Sequence, residues 1–592
     1  MSAAVALLAA TLSVGAASTD TLEVFTFAPP GLETHPTDPN RAFVAASNNG
    51  PGVYQFQMTP GQPVGWAGAS YELAYEPPAC VVQGVTLVPM LGSFALERGT
   101  GETRGWITTS ICELAVPFDY VSGAGWPLLY SGASRMSVPT RHTLTGSYTT
   151  YPSSGAGTAI ASFTTNFTSA ALRIGNRLVV ATSNIKQTGS SPIWNPGAVL
   201  FFSIDDSGPT TTVALASPFF AITSDPNPIA LTELPGGRVA VTNAGIFDAS
   251  FPPLVTGQGS IDLVDVATGL LVGSIPLGPG NPAGRGLALD PTGSVAVAGS
   301  TTLRQLVAVD VRNVAALPTA PVDARLQRPS CNDTSAAFAG GVPCLRERVI
   351  RGGANPIVLA PPPGSSGVYS YVPQVRFGAS GDFVAATSYN DGGLGLVSFD
   401  PRNLGRPHPL LPSRFGVAQT LAATAPAGEI GEECCPGPML LHANSASGLA
   451  GSDVLFATAS PNGYVVRGHL GGTIAAPTGD YDFDGVEDAL DVCPVEPNAA
   501  QTDSGGLASP NPDGIGNACQ CGDSTDDGRV DAADASALRS FLVGALAALQ
   551  APQKCDVGGS TACDLVDSVR LRRALAGSTS GGISHVCAPF LP

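Results

Sequence analysis

The residues with the clearest chemical purpose lie in the last 114 positions of a 592-residue chain. In the run Asp523-Ser524-Thr525-Asp526-Asp527-Gly528-Arg529-Val530-Asp531-Ala532-Ala533-Asp534, oxygen side chains fall at loop positions 1, 3, 5, 9 and 12. Glycine stands at position 6 and an apolar residue at position 8. Ca²⁺ takes six to eight oxygens and needs a sharp turn at position 6, with a backbone carbonyl at position 7, here Arg529. The ligand set is therefore Asp523, Thr525, Asp527, Arg529, Asp531 and Asp534, and a helix is expected from Ala535 to Val543 with Leu538, Phe541 and Leu542 on one face. A second, poorer copy runs from Asp556 to Asp567. It keeps Asp556, Asp564 and Asp567 at positions 1, 9 and 12 but has Gly558 and Ser560 at positions 3 and 5 and no glycine at position 6. Upstream, Asp480, Asp482, Asp484, Asp488 and Asp491 recur at short spacing around Gly485 and lead into Cys493-Pro494.

These stretches carry two resemblances. The paired loops resemble the dockerin family, small EF-hand-like calcium modules of secreted bacterial proteins, with Thr525 the departure at position 3. The stretch from Asp480 through Asn498, Gln501 and Asp503 to Cys519 resembles one thrombospondin type 3 repeat, which wraps calcium with almost no apolar core; Ser504 to Pro510 replace the acids expected there. The resemblances imply Ca²⁺ as cofactor and densely charged segments that fold around it. The dockerin likeness also implies a cohesin-like partner and, in cellulosome-forming bacteria, attachment of polysaccharide-degrading enzymes. Dockerins usually grip cohesin with a repeated polar pair at loop positions 10 and 11. This chain has Ala532-Ala533 and Leu565-Val566 there, apolar and unequal.

Other chemistry is sparse. The six histidines are scattered, without H-E-x-x-H or H-x-H spacing, and there is no G-x-S-x-G elbow or phosphate-binding glycine loop. Gly278 to Gly286 is glycine-rich but broken by prolines, and reads as a connecting loop. Adjacent Cys434-Cys435 resembles the pair of quinone-dependent dehydrogenases, whose tryptophan-bearing blade motif is missing. Glu233, Asp248, Asp265, Asp290, Asp310, Asp382, Asp391 and Asp400 could serve a hydrolase, yet most fall at turns, where aspartate caps the backbone.

The charge distribution narrows the partners. Residues 479–592 hold 17 acidic and 6 basic side chains, so −11 of the chain's −18 lies there and −7 remains for the rest. Neither part has the basic stripe that nucleic acid or an anionic membrane requires. Lysine occurs only at Lys186 and Lys554, which reads as a coding bias. Residues 1–17 form a short apolar run ending in small residues, a signal peptide pattern that points to export, although no basic residue precedes it. No other run is long and apolar enough for a membrane helix.

The 12 cysteines fit an oxidising compartment. Cys80 with Cys112 and Cys331 with Cys344 are close enough in sequence for local staples. In the last module Cys555 precedes the weakened loop and Cys563 stands at its position 8, and their bridge would close it where metal ligands were lost. Cys521 and Cys587 would then clasp the ends, with Cys521–Cys555 the alternative.

What must position these groups is a long β-rich region, 20–475, followed by segments 479–519 and 520–592. Its phrase is strand, Gly-containing turn, strand, loop, and a strand ending in aspartate. Examples are Leu231 to Asn243 followed by Gly259 to Asp265, Gly286 to Ala298 followed by Leu306 to Asp310, and Val375 to Ala386 followed by Leu396 to Asp400. That rhythm predicts a mainly β fold, a β-propeller of six or seven blades, with a β-sandwich array as the alternative. Residues Pro77 to Pro152 fit it worst and read as a decorated blade or inserted hairpin. The overall expectation is a secreted, calcium-binding, non-catalytic propeller for a protein or carbohydrate ligand, the alternative being an exported polysaccharide hydrolase.

Overall fold

The computed structural model describes residues 20–23, most of 31–119 and 138–349, and the strands and their neighbours between 357 and 469. It also describes residues 486, 490–493, 498–557, 563–577, 583 and 587. The 1–17 stretch and Cys434-Cys435 lie outside the described residues.

Seven antiparallel sheets follow one another along the chain. Blade one is Gly31–Thr34, Arg41–Ala46, Gly52–Gln57 and Gly65–Trp66, with Leu73–Tyr75 added, and blade two is Leu91–Leu96, Arg104–Thr109, Leu114–Asp119 and Val138–Pro139. Blade three comprises Thr168–Ile174, Arg177–Thr182, Ala198–Asp205 and Thr212–Ile222; blade four comprises Pro228–Leu234, Arg238–Asn243, Gln258–Asp265 and Leu271–Pro279. Blade five has Leu287–Leu289, Val295–Gly299, Gln305–Asp310 and Ile357–Val358, and blade six has Val375–Phe377, Phe383–Ser388, Gly393–Ser398 and Gln419–Ala422. Blade seven takes Pro436–Ala443, Ser452–Thr458 and Tyr464–His469 from the far end of the domain. Its fourth, outermost strand is Asp20–Glu23.

The first strands of consecutive blades touch from one to seven, and that of blade seven returns to that of blade one. The region is therefore a closed seven-bladed propeller, which decides between the six and seven blades expected. The difficult stretch is both things expected of it: blade two is flanked by a small hairpin, Cys80–Val82 with Val85–Leu87, and by a four-stranded side sheet. That sheet pairs Thr143–Pro152 and Thr158–Thr164 with Ser191–Trp194 and Ile185–Thr188.

Closure explains why the strands read as short, nearly continuous apolar runs. Every inner strand has a neighbouring blade on both faces, so both alternating sets of side chains are buried. All six residues of Arg238–Asn243 are buried. Val239 and Val241 face the core shared with blade three, while Ala240 joins Ile261 and Leu263 in the core shared with blade five. Blade five repeats the pattern, with Val295 and Val297 toward blade six and Ala296 and Ala298 toward blade four. Each buried Val or Leu contributes about 1.5–3 kcal/mol of transfer energy, and the seam between blades is where that energy accumulates.

The seam between blades seven and one carries one extra device. Arg467, 1 % exposed, donates from blade seven to the carbonyls of Met58, Thr59 (3.1 Å) and Gln62 (2.7 Å) just after blade one's third strand.

A long connection in blade five, between Gln305–Asp310 and Ile357–Val358, lies as a strap over its neighbours. Ala324 accepts from Ile222 N–H of blade three (2.7 Å), and Leu345 N–H donates to Ser274 of blade four (2.8 Å). The Cys331–Cys344 disulfide closes it, with Cα atoms 5.6 Å apart, as the sequence suggested. Cys112 is also in a disulfide; the side chain of its expected partner, Cys80, lies outside the described residues.

Candidate functional site

Two places could carry function: the axis of the propeller and the acidic C-terminal segment. On the axis, the first strands of blades one to six line a cavity of about 780 Å³. Its charged lining is Glu33, Arg173, Glu233 and Arg376, beside Gln374. Arg376 bonds Glu33 at 3.2 Å, and Arg173 bonds Asp206 at 2.6 Å.

Of the acids picked out in the sequence, Glu233 lines this cavity. Asp265 accepts from Arg238 and Thr268, Asp290 from the N–H groups of Thr292, Ser294 and Val295, and Asp310 from Arg312. These three serve turns, as expected of strand-ending aspartates. Asp248, Asp382, Asp391 and Asp400 lie outside the described residues.

The C-terminal module contains two equivalent helices, α1 (Ala532–Leu542) and α2 (Leu565–Leu575), packed on each other. Helix α1 begins three residues earlier than the sequence suggested. Asp531 acts as N-cap, accepting from Ala533 N–H, while Asp534 three residues on accepts from Asp531 N–H, a reciprocal capping box. Asp564 and Asp567 repeat the device at α2. Positions 9 and 12 of both loops thus do the same structural work. Between the helices lies a small core of Val530, Leu538, Leu549, Val557 and Leu571, with Phe541 and Leu542 packed against it.

Loop one is drawn tightly around its first and last carboxylates. Asp523, fully buried, accepts from the N–H groups of Asp527 and Gly528, each at 3.0 Å. Asp534, also buried, accepts from the N–H and hydroxyl of Thr525 at 3.0 and 2.8 Å. Burial raises the Asp534 pKa, the charge of Asp523 raises it further, and hydrogen bonds from Asp531 and Thr525 oppose the rise. Asp527 accepts from Arg529 N–H.

Position 6 is where glycine is required. Gly528 has φ +82°, and an added Cβ would come within 2.3 Å of the Asn517 amide. Asn517 belongs to the preceding segment, which is stitched onto loop one: Ala508 N–H donates to Val530 at 2.8 Å, and Cys587 N–H donates to Cys519 at 3.0 Å. The expected boundary at 519/520 is therefore crossed by backbone pairing.

Gln501 of the upstream stretch donates to both Asp491 and Asn498, and Asp503 accepts from Gly505 and Gly514 N–H. Asp480, Asp482, Asp484 and Asp488 lie outside the described residues, as do positions 3 to 7 of loop two. Among the described residues no three Asp, Glu, His or Cys side chains converge as a metal-binding group.

The disulfides close this module as expected. Cys555–Cys563 joins Cα atoms 5.5 Å apart across loop two, and Cys521–Cys587, 4.6 Å apart, ties the module's ends. Cys493–Cys519 secures the preceding segment. Four disulfides among the described residues fit an oxidising, extracytoplasmic setting, and no described helix is long and apolar enough to cross a membrane.

Sequence reasoning missed one residue here. Lys554, read as a coding bias, is 2 % exposed, and its ammonium lies 3.1 Å from Asp523 and 2.5 Å from Asp526. Its signal was rarity: arginine supplies every other basic residue except Lys186.

No family model matches the chain, and no curated protein matches it. Solved structures do align with it at low similarity. Saccharomyces cerevisiae Sqt1 aligns over 76 % of this chain and 98 % of its own, at 9 % identity and a TM-score of 0.38. The Cps50 (Swd1) β-propeller domain of Myceliophteria thermophila covers 76 % and 99 %, at 11 % identity and 0.38. Kuenenia stuttgartiensis hydrazine synthase covers 75 % and 96 %, at 11 % and 0.39. Scores this low transfer neither activity nor partner to the present chain.

Proposed function

We propose that this chain is an exported, non-catalytic binding propeller whose acidic C-terminal segment is braced by calcium. The observation that carries the reading is the geometry of loop one. A left-handed glycine stands at position 6, and buried carboxylates from positions 1 and 12 lie close enough to repel. All the candidate donors are oxygens, as a hard cation prefers. Asp523, Thr525, Asp527, Asp531 and Asp534, with the Arg529 carbonyl, would hold the ion, whose charge would relieve the repulsion. Asp480, Asp482, Asp484, Asp488 and Asp491 would form a further site. Asp556, Asp564 and Asp567 would bind weakly, the Cys555–Cys563 bridge doing part of the metal's work.

The propeller contributes a rigid ring and a polar axial cavity, suited to holding a protein or carbohydrate ligand. The dockerin-like module would supply attachment, with a cohesin-like surface as one candidate. Calorimetric titration of the chelator-treated full chain with Ca²⁺ tests the brace. Saturable binding is expected, with one site lost in Asp527→Ala and little change in Ser560→Ala. A titration without heat or stabilisation would overturn it.

A further inference from the structure

We infer that Lys554 is a built-in counter-ion of loop one, an ammonium that holds the loop's carboxylates in place before any metal arrives and weakens calcium binding there. The second half of the inference rests on the calcium reading; the first does not.

Lys554 ends the short helix Pro552–Lys554 immediately before loop two, yet its side chain reaches back to loop one. The lysine and Asp523 side chains are 3 % and 0 % exposed, so this is a buried ion pair, whereas Asp526 is 56 % exposed. The ammonium bonds Asp523 Oδ2, which also accepts from Gly528 N–H. One oxygen thus anchors both the position 6 turn and the lysine. Asp526, at position 4, is a non-glycine residue with φ +57°, a backbone state that L-residues enter reluctantly, and its carboxylate meets the same ammonium.

The stem of Lys554 is fixed rather than adaptive. Its carbonyl accepts from Gly522 N–H at 2.8 Å, and the next residue, Cys555, is bridged to Cys563. The charge is therefore delivered to loop one by the frame of loop two. A buried carboxylate needs a paired charge or full solvation by donors. Asp523 has both an ammonium and two backbone N–H groups before any ion is considered. A divalent cation entering beside Asp523 then meets a like charge; at about 4 Å one positive charge weakens a divalent ion's binding by roughly thirtyfold even at the dielectric of bulk water.

The test uses the full-length exported chain and the variant Lys554→Met, with helix melting of the C-terminal module followed in excess chelator and in excess Ca²⁺. The variant should melt earlier than wild type in chelator, and calcium should restore it, so that the calcium-dependent shift is larger in the variant. Recovery of a chelator-unfolded variant by Ca²⁺ would also support the inference. Equal melting of the two proteins in chelator would overturn it, and a variant that folds in neither condition would overturn its calcium half, since the metal could then not replace the lysine. Lys554→Arg, which keeps the charge, should behave more like wild type. If neither protein responds to Ca²⁺ while the variant still melts early, the calcium reading and the weakening fail and the counter-ion remains.

Discussion

Replacing Asp225 with Asn should remove a pH-dependent part of the propeller's stability. Asp225 lies on the connection between blades three and four, 6 % exposed, and is held against Asp262, fully buried in blade four. Ser330, Ser260 and Asn332 bond Asp225, the last at 3.2 Å; Ser224, Ser274 and Asn243 bond Asp262. Ser330 and Asn332 belong to the strap, so the pair is closed from outside by that segment. Burial pushes Asp225 up to about 6 from 3.8, with the charge of Asp262 adding to the rise and the serine and asparagine donors opposing it. Burial also raises Asp262. The other titratable groups that sense the pair are Tyr151, raised by burial and by Asp225, and Arg328, lowered by burial although Asp323 and Asp262 act the other way.

A folded-state pKa above the unfolded one means that the native state holds a proton the unfolded chain has released. The associated stability is present below pH 3.8 and is lost as pH rises through about 6. Integrated from pH 4.5 to 7, a difference of this size is worth about 2 kcal/mol. Asn keeps an oxygen for Asn332 and does not titrate. The stability difference, Asp225→Asn minus wild type, should therefore rise by about 2 kcal/mol across that window and then level off. Urea unfolding of the propeller at half-unit pH steps measures it. His35, whose pKa burial lowers, contributes with the opposite sign, but equally in both proteins, and cancels in the difference. Parallel pH profiles for the two proteins would refute the buried-proton argument.

Arg467→Ala should cost the propeller at least about 3 kcal/mol, because it leaves three carbonyls of the closing seam without their charged donor; thermal unfolding against wild type checks this. Deleting residues 20–23 should bare the edge of Tyr464–His469 and lower the melting temperature while promoting aggregation, followed by light scattering. Gly528→Ala should destabilise the C-terminal module by about 1–3 kcal/mol through its left-handed backbone, with Asn517 adding a clash, and should leave propeller unfolding unchanged. Reduction of Cys331–Cys344 should loosen the strap ahead of the blades, read by hydrogen exchange at the Ile222 and Leu345 amides, whose N–H groups make the bonds between strap and blades.

The blades were legible because each encodes itself locally. Gly236 and Gly237, both at positive φ, mark a hairpin, and runs such as Val239-Ala240-Val241 record burial on two faces at once. The stretch from Pro77 to Pro152 was obscured because blade two sits among strands of other sheets, so blade length no longer matched spacing. Closure left no local trace. Asp20 pairs with Arg467, and nothing in the composition of either strand names the other. The same holds for Arg467 and the carbonyls after blade one, and for Asp225, which reads as an ordinary turn acid until Asp262 is brought beside it.

The C-terminal segment divides along the same line. Loop spacing, the first helix and the bridge Cys555–Cys563, whose cysteines are 8 residues apart, were available from short intervals, whereas Cys521–Cys587 closes across 66 residues and followed only as the pair that remained. Lys554 was not legible, because its meaning depends on two half-modules folding face to face. That asymmetry bears on how the segment can work. Three disulfides and a buried ammonium hold the frame covalently and electrostatically, so calcium need not build the fold from a disordered chain. Chelation should therefore loosen the acidic stretch before loop one while loop one's frame, α1 and α2 persist. Helical circular dichroism should survive chelator in the oxidised protein and collapse when the disulfides are also reduced. If chelator alone abolished the helices, the frame would belong to the metal after all.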